Sequence, residues 1–164
     1  MGLTRYEAVM KAASDPTRVR ILKILESGEI CVCQIIAVIH LSQPTISNHL
    51  SLLKSAGLIK DRKDKKWVFY SLDGKGADGY AGRVLRNLRG WLNDDPLIAR
   101  DRERTALARD LGPGTICARG MTLPRRKAVC CGGIQATKEF PKFPPCCRSA
   151  PDAPSPPFPA AEQS

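Results

Sequence analysis

Apolar residues recur at Leu3, Tyr6, Val9 and Met10 with the spacing of one helix face, which predicts a first helix over residues 3–13. Ser14-Asp15-Pro16 then supplies a capping residue and a first-turn proline, the usual start of a second helix. That helix is strongly apolar through Val19, Ile21, Leu22, Ile24 and Leu25 and ends at Gly28. A short third helix is expected from about Val32 to Ile39. A fourth is expected from the Ser42 N-cap to Ala56, with Ile46, Leu50, Leu53 and Ala56 as its buried stripe and Gly57 as its stop. The period then changes. Leu58–Arg62 and Trp67–Leu72 flank a polar turn, Lys63-Asp64-Lys65-Lys66, and Trp67, Val68, Phe69 and Tyr70 favour a strand, so the pair reads as a hairpin. A fifth helix over about residues 79–92 presents Val84, Leu85, Leu88, Trp91 and Leu92 on one side.

The pattern predicts a mostly α domain with a β-hairpin over residues 1–96. From residue 97 to 164 the character differs. Residues 97–111 are a heavily charged candidate helix, and beyond them Gly and Pro punctuate a Cys- and Pro-rich extension. Eight of the thirteen prolines lie between Pro141 and Pro159, a composition that predicts disorder. A domain ending at Pro96 would keep its function after removal of the extension. No apolar run approaches the roughly 20 residues needed to cross a bilayer, and Met1-Gly2-Leu3-Thr4-Arg5-Tyr6 lacks the layout of a signal peptide. The expectation is therefore a cytoplasmic protein, with no membrane partner and with its seven cysteines reduced.

Lys and Arg outnumber Asp and Glu by 26 to 16, which suits an anionic partner. The excess does not locate that partner's site: there are 15 basic and 10 acidic residues through Pro96, and 11 and 6 beyond it. The helix pair around residue 41 is more specific. Helix-turn-helix logic places the second helix in the major groove of DNA. Here its polar side carries Ser42, Gln43, Thr45, Ser47, Asn48, His49, Ser51 and Lys54, and no Asp or Glu occurs from Leu41 to Gly57. Gln and Asn can pair with adenine edges, and Ser and Thr with bases or phosphates. Arg62, Lys63, Lys65 and Lys66 at the hairpin would add phosphate or minor-groove contacts. His49 fits helix packing or a phosphate-facing position better than metal ligation. The bland alternative is a small helical domain with a solvated polar face and a basic turn.

Cys31-Val32-Cys33 places two thiols about ten residues before that DNA-reading helix. A thiolate pair is a soft binding site, so a thiophile and a promoter would meet within one short segment, as a metalloid-responsive repressor requires. Residues i and i+2 lie about 200° apart around a regular helix, so chelation by both thiols would require the start of the third helix to unwind. Deforming that helix would shift the recognition helix in its groove. The bland alternative is a pair of small core residues.

Five linked stretches resemble the ArsR/SmtB winged-helix repressors. They are Asp15-Pro16-Thr17-Arg18-Val19-Arg20-Ile21-Leu22, Glu29-Ile30-Cys31-Val32-Cys33, Ser42-Gln43-Pro44-Thr45-Ile46-Ser47-Asn48-His49-Leu50, Ala56-Gly57-Leu58-Ile59, and Asp61-Arg62-Lys63 with Trp67-Val68-Phe69-Tyr70-Ser71-Leu72. The resemblance covers roughly residues 3 to 95. It implies a winged helix-turn-helix homodimer that binds inverted-repeat operator DNA and leaves it when an inducer binds. It also implies a dimer contact between first and last helices, here Leu3, Tyr6 and Met10 with Val84, Leu88 and Trp91. The Cys-Val-Cys segment is similar to the arsenic-responsive branch, which implies As(III) or Sb(III) as inducer and no organic cofactor. That branch often has a third cysteine five positions after the first, where this chain has Ile36, and an acidic residue where it has Gln34. Cys117, Cys130 and Cys131 are the candidate third ligands, and Arg125-Arg126-Lys127 would favour thiolate formation in the Cys130-Cys131 pair.

Other signals for the same repressor are Cd(II), Pb(II), a methylated trivalent arsenical or thiol oxidation. A thiol enzyme is disfavoured: the chain has no Cys-x-x-Cys pair and no Arg six residues after a cysteine. A zinc module in the tail would also need different spacing from the vicinal pairs Cys130-Cys131 and Cys146-Cys147.

Overall fold

The computed structural model describes residues 2–73 and 79–124. The element order is α1 (Leu3–Ala13), α2 (Pro16–Leu25), β1 (Ile30–Cys31), α3 (Val32–Ile39), α4 (Gln43–Ser55), β2 (Ile59–Asp64), β3 (Trp67–Leu72), α5 (Tyr80–Gly90) and α6 (Pro96–Ala118). The fold is the expected mostly helical domain with a β-hairpin wing. No helix among the described residues is long and apolar enough to cross a membrane.

The helix ends follow from local chemistry. The Asp15 carboxylate accepts the Arg18 N–H at 2.9 Å and so caps α2. The Arg18 side chain donates back to the carbonyls of Ala12 (2.7 Å) and Lys11 (2.8 Å), which have no partner within α1. Ser42 caps α4. At the other end of α4, Gly57 takes φ 73°, its N–H bonds the Lys54 carbonyl, and the Leu58 N–H bonds the Leu53 carbonyl. That pair of bonds needs a left-handed residue, which glycine provides without a Cβ penalty.

The sheet has three antiparallel strands in the order β1-β3-β2. The hairpin pairs Ile59 with Leu72 and Asp64 with Trp67, so only Lys65 and Lys66 form its tip, not the four-residue turn expected from the sequence. The two-residue β1 was not anticipated. It pairs Ile30 with Tyr70 and Cys31 with Phe69, tying the start of α3 to the wing. Ile21, Leu22, Ile24, Ile35, Ile46, Leu50, Leu53, Leu58 and Ile59 are all below 2 % exposed or close to it, forming the core beneath α4 and the sheet.

The break after Pro96 is not a break in packing. The compact unit runs from Met1 to Arg125, and the second unit, Arg126–Ser164, lies outside the described residues, as do Cys130, Cys131, Cys146 and Cys147. Pro96 is the first residue of α6, and the Asp95 side chain accepts the N–H groups of Leu97 and Ile98. Ile98, Asp101, Thr105 and Ala108 form a narrow buried stripe, and Ile116 is fully buried after the helix kinks at Gly112. The stripe was hard to read because half of it is polar. Asp101, 2 % exposed, is satisfied by a two-pronged pair with Arg20 at 2.6 and 3.0 Å. Lys23 is buried in the same way: its ammonium donates to Glu26, to the Leu88 carbonyl and to Asn93, using all three N–H bonds.

If α6 shares the core, Ile116→Ala lowers unfolding free energy by about 2–5 kcal/mol, read from the urea midpoint. An unchanged midpoint would restore a domain ending at Pro96.

Candidate functional site

The two thiols of Cys31-Val32-Cys33 converge without any unwinding. Cys31 belongs to β1 and is the N-cap of α3, with φ −76° and ψ 148°. Its side chain is therefore placed by extended backbone, while Cys33 sits in the first helical turn. The two Sγ atoms lie 3.1 Å apart, with Cys33 donating to Cys31. Both residues are buried, at 0 % and 2 % exposed. The premise that chelation must unwind α3 is thus corrected: the 200° divergence applies between two helical residues, and only one of these is helical.

The pair is electrostatically asymmetric. The hydrogen bond from Cys33 is the largest influence on Cys31 and draws its pKa down to about 6, assisted by backbone N–H groups of Cys33, Val68 and Val32 against the cost of burial. The same bond, then burial, then the neighbouring Cys117 thiol push Cys33 upward. The first proton to leave therefore leaves the pair, with the charge held mainly at Cys31.

Cys117 reaches this pair from the last turns of α6. It is partly buried, and its side chain is close enough to interact with the Cys33 thiol. Cys33 Sγ also contacts the Pro113 carbonyl at 3.8 Å, beside the Gly112 kink. The three thiols do not yet form a finished cage: among the described residues no group of three or more His, Cys, Asp or Glu side chains is arranged to hold a metal ion. Two soft donors are preset and a third stands beside them.

Gln34 holds the site to α6. Its Oε1 accepts the Cys31 N–H at 3.0 Å and its Nε2 donates to the Ala108 carbonyl at 2.7 Å, all of it buried. A carboxylate here could accept the first bond but not donate the second, which gives the neutral residue a reason. The spacing Cys31-x-x-Gln34 is that of a capping box, a signal the sequence contained. Arg104 is a second link without such a signal: it donates to the Ala37 carbonyl at 2.8 Å and contacts the His40 imidazole, whose pKa is lowered first by burial and then by Arg104.

The DNA-facing candidates divide into two groups. Ser42, Gln43, Thr45, Ser47, Asn48 and Lys54 are exposed along α4, and Lys63, Lys65 and Lys66 are exposed on the wing. His49 is turned inward, half-buried, with Nδ1 3.9 Å from the Asp15 carboxylate, so it belongs to helix packing and not to the open face. Lys54 pairs with Asp61 at 2.7 Å. Arg62 pairs with Glu29 and Asp64 and lies over the Phe69 ring. Such exposed pairs are screened by water and contribute little, so phosphate can displace them at little cost.

A third surface is apolar. Leu3 (81 % exposed), Tyr6, Met10, Trp91 and Leu92 lie open on α1 and around the end of α5. A groove of about 520 Å³ runs between them, lined in part by Tyr6, Met10, Val84, Leu88 and Trp91. Leu88 itself is 6 % exposed and forms the floor of the groove.

Residues 15–61 match the model of the family described as bacterial regulatory protein, arsR family. An uncharacterized HTH-type transcriptional regulator of Methanocaldococcus jannaschii is 54 % identical over 72 residues, covering 42 % of this chain and 81 % of that one. The arsenic resistance transcriptional regulator ArsR1 of Pseudomonas putida is 39 % identical over 93 residues, covering 54 % and 73 %. A cadmium resistance transcriptional regulatory protein CadC homolog of Staphylococcus aureus is 52 % identical over 66 residues, covering 40 % and 54 %.

The Gln34 bridge has a measurable share in stability. Gln34→Leu leaves the Cys31 N–H and the Ala108 carbonyl without this partner, and urea unfolding should register a loss of about 1–3 kcal/mol per buried unpaired group. A loss within error of zero would mean that the bridge holds nothing.

Proposed function

This chain belongs to the arsR family of bacterial regulatory proteins, and from that premise we propose that it is a homodimeric repressor of an arsenic-resistance operon, released from operator DNA when As(III) or Sb(III) binds Cys31, Cys33 and Cys117. The family and the relatives named above are regulators of transcription, not enzymes. The observation that carries the inducer is the buried thiol pair, 3.1 Å apart, at the first turn of the helix that precedes the DNA-reading helix. The residues fit the group: trivalent arsenic supplies a three-coordinate, thiophilic centre, and this chain sets two thiols together with Cys117 beside them.

The remaining roles follow from the surfaces. Gln43, Thr45, Ser47 and Asn48 are the base- and phosphate-reading side chains of α4, with Lys54 at its far end. Lys63, Lys65 and Lys66 place the wing on the backbone, and Arg62 joins them by exchanging Glu29 for phosphate. A second copy covers the groove between Tyr6, Met10, Val84 and Trp91, leaving Leu3 at the rim. Two copies related by a two-fold axis present two recognition helices, which suits an inverted repeat. Such a protein acts in the cytoplasm, where DNA and reduced thiols coexist. Cadmium is the second reading, favoured by the similarity to the cadmium resistance regulator. It would call for more thiolates than the Cys31-Cys33 pair supplies, which makes Cys117 necessary.

Fluorescence anisotropy of labelled DNA from upstream of the protein's own gene tests the proposal. Arsenite added under reducing conditions should lower the anisotropy near stoichiometry, and Cys33→Ser should keep DNA binding while losing that response. Unchanged release in Cys33→Ser refutes the thiol site, and release by cadmium alone selects the second reading. On the DNA side, Asn48→Ala should cost about 1–3 kcal/mol and relax base preference. Lys65→Ala should weaken binding evenly across sequences and reduce the salt slope by about one.

A further inference from the structure

Building on the thiol-site reading, we propose that α6 is the element through which occupancy of that site reaches the DNA-reading helix: a strap along α3 that is anchored at the thiols and at the helix-turn-helix turn. The strap touches α3 at three levels. At its start, Gln34 bridges the Cys31 N–H and the Ala108 carbonyl. One residue earlier, Cys33 Sγ meets the Pro113 carbonyl at 3.8 Å. At the far end, Arg104 holds the Ala37 carbonyl at 2.8 Å and the His40 imidazole.

His40 is the residue that turns the chain from α3 into α4. It sits at φ 62° and ψ 39°, a left-handed conformation that few non-glycine residues adopt and that histidine tolerates better than most, with its N–H on the Ile36 carbonyl. Two packed helices joined through such a turn respond to a small displacement as a unit. Arg104 is the α6 side chain that grips this pivot.

The strap can also move where the thiols need it to. Gly112 has φ 73° and ψ 160° inside α6, and Pro113 has no N–H to restore the helical ladder. The stretch from Pro113 to Ala118 is therefore a separate short lever, and it carries Cys117. Closing three thiolates on one centre requires Cys117 to approach Cys31 and Cys33, because the three are adjacent but not converged. It also leaves the Cys33 sulfur without a proton 3.8 Å from the Pro113 carbonyl oxygen, where two electron-rich atoms then face each other. The lever is drawn in at one contact and pushed off at another, and the change travels along α6 to Arg104 and the turn.

Coupling of this kind is reciprocal. DNA bound to α4 must favour the strap position in which the thiols are not ligated. In that position Cys33 is buried and Cys117 partly so, and a reagent that reaches them only when the lever is displaced reacts in proportion to the displaced population, which DNA lowers. Full-length protein is pulsed with iodoacetamide under reducing conditions, and alkylation of Cys33 and Cys117 is resolved by mass, with and without saturating DNA from upstream of the gene. In the parent protein DNA should slow both reactions about fivefold or more. In Arg104→Ala the ratio should fall to near one, and Arg104→Lys, which keeps a donor and the charge, should retain part of it. A merely structural role for Arg104 would speed alkylation in both states and leave the ratio where it was. Equal rates with and without DNA in the parent, or an undiminished ratio in Arg104→Ala, would overturn the proposal. Failure of arsenite to release the parent from DNA would instead refute the inducer assignment, while the alkylation ratio would still decide the coupling.

Discussion

The backbone at Cys31 is the constraint on which the rest of this molecule depends. Its ψ of 148° makes it the last residue of a strand and the cap of a helix at once. As a strand residue it pairs with Phe69, which ties the wing to the start of α3. As a cap it donates its N–H to Gln34, whose other end reaches α6. The change from extended to helical backbone between Cys31 and Val32 is also what brings two thiols one residue apart into contact. One residue thus joins the sheet to α3 and, through Gln34, to α6.

Polar burial is the second organising feature. Lys23, Gln34, Asp101 and Thr105 are all nearly inaccessible, and each has hydrogen-bond partners. Such groups are expensive to bury unpaired and specific when paired. Three of them lie in or against α6, so the register of that helix is held by directional bonds and not by apolar area alone. A helix held in this way has definite positions, which is what a coupling element needs.

The surface is divided by task. The α4 face is open, without acidic residues, while two cations, Lys54 at the end of α4 and Arg62 on the wing, rest in exposed ion pairs that cost little to exchange. The apolar face on α1 and α5 lies apart from that polar one, so a second copy and DNA would not compete for the same side chains.

Local periodicity and capping chemistry determined α1 through α5, the hairpin and the polar side of the recognition helix, because those signals act within a few residues of one another. Asp15 and Pro16, Ser42, and Gly57 each mark a boundary for a reason visible in the sequence itself. The Cys31-Val32-Cys33 pair was legible as a soft site for the same reason, though its geometry was not: helix spacing was applied to a residue that tertiary pairing with Phe69 keeps extended. Only the folded chain decided that β1 exists, that α6 continues to Ala118 and closes over α3, and that Cys117 arrives beside Cys33. Those outcomes join residues distant in sequence through single contacts, such as Arg20 with Asp101 and Gln34 with the Ala108 carbonyl. Such contacts leave no periodic trace, and a stripe that is half Asp and Thr does not announce itself as core until its partners are in place.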